Sequence, residues 1–231
     1  MPKYQHILFD LDHTLWDFEK NATETLNELY VTFKLAELGA FSVEEFCDTF
    51  YEVNYELWHR HQTGSYGQVQ LREERFPMVF AKLGIAKSAM PLPIGDAYLK
   101  LCPSKPHVFP YAHRALNYLK DSYQLHIVTN GFADVQHIKL ASANLAQYFD
   151  QVVTSDDAGA RKPDPIMFAH TLSLIDATPA DCVMIGDNLD ADILGAQSAG
   201  IDCIYFNPKQ QPHQAQVRHE ISCLSELSRI L

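Results

Sequence analysis

The stretch "ILFDLDHTLWD" (residues 7–17) sets two aspartates two positions apart where the first apolar run of the chain stops. The run "HILFD" (6–10) reads as a strand buried on both faces. Asp10 and Asp12 then project from one side of the extended chain, because strand side chains repeat every two residues. Paired carboxylates at a strand end are either a solvated turn or a device for holding positive charge and attacking something else.

Working outward, four more short apolar runs read as strands: "LHIVTN" (125–130), "FDQVVTS" (149–155), "DCVMIGD" (181–187) and "IDCIYF" (201–206). Helical patterns lie between them at 134–148, 165–175 and 189–200, the last closing on Gly200 as a C-terminal cap. Strand–helix alternation predicts right-handed crossovers and an α/β fold, a Rossmann-like doubly wound parallel sheet. Residues 18 to about 100 carry no strand pattern. Ala22, Leu26, Leu29, Tyr30 and Phe33 recur at helical spacing, as do Phe46, Phe50, Val53 and Leu57. A third helix, "QLREERFPMVFAKLG" (70–84), contains Pro77, and Pro-rich stretches at 90–95 and 102–111 mark the return to the sheet. The predicted organisation is a core of residues 1–16 and 104–231 with an inserted all-helical cap at 17–103.

Composition excludes several classes. With 231 residues, 47% hydrophobic and 20% charged, the chain has the make-up of an ordinary globular protein. Charges interrupt every apolar run before the roughly 18 residues a membrane helix needs, so no membrane partner is expected. A net charge of −11 argues against polymeric nucleic acid as a partner, while leaving room for a small phosphorylated metabolite at one local positive site. Five scattered cysteines form no CxxC pair, and most read as buried small apolar side chains. "MPKYQ" runs directly into a strand without a signal-peptide pattern, and the expected location is cytoplasmic.

In open α/β sheets ligands bind beyond the carboxyl ends of the strands. Here those ends carry Asp10 and Asp12, then Thr129, Asn130 and Gly131, then Lys162 after the third strand, then Gly186 and Asp187. "FDLDHTL", "VTN", "RKPDP" and "GDNLDAD", in this order and spacing, resemble the four motifs of the haloacid dehalogenase-like hydrolases: DxDxT, a Thr or Ser at a strand end, a Lys, and GDxxxxD. The resemblance spans the whole chain. It implies Asp10 as nucleophile, forming an aspartyl-phosphate, and Asp12 as general acid and base. It also implies Thr129, Asn130 and Lys162 around the phosphate, and a Mg²⁺ site from Asp10, Asp187 and the Asp12 carbonyl, with Asp192 in support. The chemistry is coherent, because an anionic nucleophile facing an anionic phosphate needs cationic screening. Carbon–halogen hydrolases of the family lack the second aspartate, since halide departure needs no proton, so Asp12 favours a phosphatase. Two departures from the pattern are His13, where Gly is common, and Asn188 with Ala191, where Ser and Thr are common.

For the substrate, "LWDFEKN" (15–21), "ELWHRHQTGSYGQVQLREERF" (56–76) and "KPHVFPYAHRALNYLK" (105–120) are similar to pyrimidine-preferring nucleoside 5′-monophosphate phosphatases. That resemblance implies a 5′-nucleotidase with a mobile cap. Trp16, Trp58 and Tyr66 could stack on a base, with core packing beside Leu57 the alternative for Trp58. Arg72 and Arg75 could reach a sugar or base oxygen, or sit in surface ion pairs. His59 and His61, two apart on a helix, face different ways and make no metal site. A phosphatase or phosphomutase for a sugar phosphate is the alternative, and a non-catalytic phosphate binder is disfavoured because no motif residue is missing. Monomer and homodimer are both compatible with the sequence.

Overall fold

The structure, a computed structural model, describes residues 3–231. The chain divides into two compact units: one runs to Phe18 and resumes over Pro106–Leu231, and the other is Glu19–Lys105.

The sheet unit contains six parallel strands in the order β3-β2-β1-β4-β5-β6: β1 (His6–Phe9), β2 (Gln124–Thr129), β3 (Gln151–Thr154), β4 (Cys182–Gly186), β5 (Asp202–Phe206) and β6 (His219–Ile221). Five are the expected strands. The sixth, a three-residue segment "HEI", is too short to carry a periodic signal. β1 lies at the centre, between β2 and β4, and its four residues are all buried. Leu8, Val128, Val153, Met167, Phe168, Met184 and Ile193 form a shared core on the sheet. Cys47, Cys102, Cys182 and Cys203 are buried, and Cys223 is half-buried.

The helical unit takes its order from α1 (Phe18–Thr32), α2 (Val43–Gln62), α3 (Gln68–Lys82) and α4 (Ile94–Leu101). Helix α2 starts at a capping box: Glu45 N donates to Ser42 Oγ (3.2 Å) and Ser42 N to Glu45 Oε2 (2.7 Å), satisfying two otherwise orphan donors. Its inward stripe, Phe46, Phe50, Val53 and Leu57, meets Phe76 and Phe80 of α3 and Tyr98 of α4. α3 runs unbroken through Pro77. Arg75 departs from the surface ion pair considered above. It is buried, 6% exposed, with its guanidinium over Phe50 (5.8 Å) and Tyr98 (5.3 Å), and burial lowers its pKa. Tyr66 donates its hydroxyl to Glu74 (2.7 Å) and accepts from Arg60 (3.0 Å), while Trp58 sits edge-on to His61. Among the described residues no helix is long and apolar enough to cross a membrane.

The remaining helices lie in the sheet unit: α5 (Ala112–Leu119), α6 (Ala133–Ser142), α7 (Ser155–Ala158), α8 (Pro165–Leu174), α9 (Gly195–Ser198) and α10 (Leu227–Ile230). Two expected helices are shorter than their patterns. The 134–148 segment stops at Ser142 because Asn144 adopts φ +52°, and a 3-10 turn follows at Ala146–Tyr148. The 189–200 segment opens as a wide π turn over Leu189–Leu194 before α9, and Gly200 at φ +80° ends it.

Two strands also share a buried histidine pair. His6 Nδ1 and His126 Nε2 are 3.1 Å apart, with stacked rings. Burial pushes the His126 pKa down to about 4, with His6 adding to the effect, and burial lowers His6 despite Asp181 and Asp150. A histidine depressed in the folded state contributes stability above its unfolded pKa of 6.5 that is lost as pH falls toward 4. Between those pH values the wild type is expected to lose on the order of 3 kcal/mol more unfolding free energy than His126→Phe. Urea titrations across pH measure this, and parallel profiles for the two proteins would contradict it.

Candidate active site

The strand register builds the site. Phe9 is level with Ile127 of β2 and Ile185 of β4, so the next residues of all three strands emerge at one rim. Asp10 N donates to Ile185 O (2.9 Å), fixing Asp10 where β1 leaves the sheet. The segment after it folds back at once. Leu15 N and Trp16 N both donate to Leu11 O, and His13 N donates to Trp16 O. His13 sits at φ +67°, a left-handed conformation that glycine adopts without strain, which gives the physical reason for glycine at this place in related sequences.

Lys162 closes the rim from the loop after β3. Its ammonium donates to Asp10 Oδ1 (2.6 Å) and Val128 O (2.5 Å) and pairs with Asp192 Oδ1 at 2.7 Å. Burial alone would lower the lysine's pKa, but Asp10 and Asp192 more than offset that and hold it above its ordinary value. Asn130 clamps this loop from both sides: its Nδ2 donates to Lys162 O and its Oδ1 accepts from Lys162 N, each at 2.8 Å. The Asn130 side chain is therefore committed to holding the lysine. Asp164 caps α8 by accepting from Ile166 N (2.9 Å), with Pro165 in the first turn.

Thr129 has a different availability. Its hydroxyl oxygen accepts from Gly131 N (3.0 Å) and Gln136 Nε2 (3.1 Å), which uses both lone pairs. The hydroxyl proton is left to donate elsewhere, as an anion would require. Asp12 is held by two residues that the motif pattern does not include. Lys139 Nζ lies 2.7 Å from each carboxylate oxygen, and Gln136 Nε2 donates to Oδ2 at 3.2 Å. Burial would raise the Asp12 pKa, but the charge and hydrogen bonds of Lys139 outweigh it and hold the carboxyl below its usual range. Trp16 is fully buried and lies under the Lys139 ammonium (4.8 Å), so it is not available to stack on a base.

The last acidic pair comes from the β4 end. Asp187 Oδ1 accepts from Thr14 Oγ1 (2.9 Å). Asp192 is brought back by the π turn: Asn188 accepts from Asp190 N and Ala191 N through its side chain, and Asn188 N donates to Asp192 Oδ2 (3.0 Å). Gly186 makes room for this, since a Cβ there would lie 2.3 Å from Asp192 Oδ2. One oxygen each from Asp10, Asp187 and Asp192 fall within 4.8 Å of one another. Burial raises the Asp10 pKa to about 7 and raises Asp187 well above its ordinary value, with the neighbouring carboxylates adding to both. Three carboxylates facing one ammonium leave excess negative charge in a buried, oxygen-only donor set. Those residues fit a hard divalent cation. Asp192 stands among these donors directly, and the Asp12 carboxylate stands apart with Lys139.

A family model described as haloacid dehalogenase-like hydrolase matches residues 4–200. The chain belongs to the haloacid dehalogenase-like hydrolases. Among curated relatives, it is 31% identical over 228 residues to the pyrimidine 5'-nucleotidase PynA of Streptococcus pneumoniae, covering 97% of this chain and 93% of that one. It is 28% identical to the pyrimidine 5'-nucleotidase YjjG of Escherichia coli, covering 99% and 98% of the two chains. The solved HAD-hydrolase YfnB of Bacillus subtilis, bound to magnesium, superimposes with a TM-score of 0.87 at 25% identity, over 99% of each chain. With a family model over most of the chain and full-length relatives that are pyrimidine 5'-nucleotidases, this member is a phosphoric monoester hydrolase.

Gly186→Ala tests the packing behind the acidic cluster. The added methyl group must displace Asp192, and a cost of about 1–3 kcal/mol in urea denaturation is expected. Unchanged stability would contradict the close approach of Asp192 to the end of β4.

Proposed function

We propose that this hydrolase cleaves nucleoside 5′-monophosphates, pyrimidine nucleotides foremost, through a phosphorylated Asp10, with Mg²⁺ as its cofactor. The observation that carries the chemistry is the convergence at one rim of a buried carboxylate, an acid two residues on, and a Thr129 hydroxyl whose proton has no acceptor among the described residues. The bond from Asp10 oxygen to phosphorus forms as the bond to the leaving 5′ oxygen breaks, and Asp12 gives that oxygen its proton. Water then attacks phosphorus, returning a proton to Asp12, and the Asp10–phosphorus bond breaks. Thr129 donates to a phosphoryl oxygen, and Lys162 holds Asp10 in line. Asp10, Asp187 and Asp192, with the Asp12 carbonyl, would hold Mg²⁺, which supplies charge neutralisation for the phosphoryl group when bound. The magnesium bound to the B. subtilis relative supports this choice of ion.

The substrate reading is supported by full-length similarity to two pyrimidine 5'-nucleotidases and by resemblance in the helical insert. Released phosphate from a panel of nucleoside monophosphates and sugar phosphates, with Mg²⁺ and with chelator, tests it. Pyrimidine monophosphates are expected to give the highest kcat/KM, and chelator to abolish turnover. A preference for sugar phosphates would overturn the substrate assignment, and chelator-resistant hydrolysis would overturn the metal assignment.

A further inference from the structure

Helix α6 turns a polar stripe inward. Gln136, Lys139 and Leu140, at i, i+3 and i+4, are its buried residues, with Gln136 0% and Lys139 8% exposed. A buried ion pair returns little net stability, because desolvating both charges offsets their attraction. An apolar set in place of Asp12 and its two partners would fill the core at no such cost. The polar residues therefore call for a reason other than folding, and both of them terminate on Asp12.

We propose that Lys139, assisted by Gln136, is a positioning residue for Asp12 in the reaction given above, on which this inference rests. The ammonium is equidistant from the two carboxylate oxygens at 2.7 Å. This two-point contact fixes the plane and direction of the Asp12 carboxylate. Trp16 under the ammonium and Gln136 on the second oxygen restrict where the tether points. Gln136 also donates to Thr129 Oγ1 (3.1 Å), so one amide sets the acid and the phosphate-facing hydroxyl relative to each other.

The test uses the leaving group. A nucleoside 5′ alkoxide needs a proton as it departs, whereas para-nitrophenolate does not. The quantity kcat/KM reports steps through leaving-group departure and so isolates the acid function of Asp12. For Lys139→Met, kcat/KM on pyrimidine monophosphate is expected to fall about 100-fold relative to that on para-nitrophenyl phosphate, the range of general-acid catalysis. Lys139→Arg, which keeps the charge, is expected to recover part of the ratio, and Gln136→Met to lower it by a smaller factor. An equal fall on both esters, or no fall on either, would overturn the positioning role. If Lys139→Met does not fold, an unchanged ratio in Gln136→Met overturns it instead. Wild-type enzyme that cleaves the aryl ester but no nucleotide removes the substrate reading alone, and the same ratio is then read with whichever alkyl monoester it does cleave. Wild-type enzyme that cleaves neither class removes the phosphatase mechanism and this inference together.

Discussion

One buried ammonium holds this site together. Lys162 reaches the nucleophile candidate at the end of β1, a backbone carbonyl of β2 and the aspartate returned by the π turn after β4. These three strands are neighbours in the centre of the sheet, so a single cation ties their ends into one rim. Its position is set by backbone rather than by a flexible side chain, since Asn130 grips the lysine's own N–H and C=O. A charge this deeply buried persists only where it is paired, and Asp192, one of its acceptors, is in turn held by Asn188 N.

The same burial leaves a surplus of negative charge. Asp10, Asp187 and Asp192 crowd together, and the cost of burying these carboxylates side by side raises the pKa values of Asp10 and Asp187. A divalent cation would relieve that cost, and an arriving phosphoryl group would meet a site already screened. Asp12 is set apart from this cluster by its own lysine. The two aspartates of the opening motif therefore differ in environment: one pressed among carboxylates, the other paired with a cation. That separation suits the two different roles proposed for them.

Much of this was legible in the sequence, for definable reasons. Central strands buried on both faces must be continuous apolar runs, so β1 to β5 announce themselves, and Asp10, Thr129 and Asp187 follow because each sits where such a run ends, with Lys162 and Asp192 further along the chain. β6 was not legible, being three residues at the sheet edge. The π turn was not either, because it depends on Asp192 being drawn back against Gly186, a tertiary demand. Lys139 and Gln136 lie in "DVQHIKL", which reads as an ordinary helix. The signal available was their i, i+3 spacing beside Leu140, which places two polar residues on an inward stripe. Trp16 read as a base-stacking candidate and Arg75 as a ligand-reaching or surface ion-pairing residue, and the structure buries both against rings and charges.

The central claim is that Asp10 attacks phosphorus, and trapping the covalent enzyme tests it most directly. Enzyme mixed with Mg²⁺ and para-nitrophenyl phosphate, acid-quenched within a turnover, is mapped by peptide mass spectrometry. A phosphoryl group is expected on Asp10, in the peptide containing "FDLDHTL", and none is expected in Asp10→Asn. Turnover with no phosphoryl adduct at any quench time, or an adduct that survives in Asp10→Asn, would contradict the assignment.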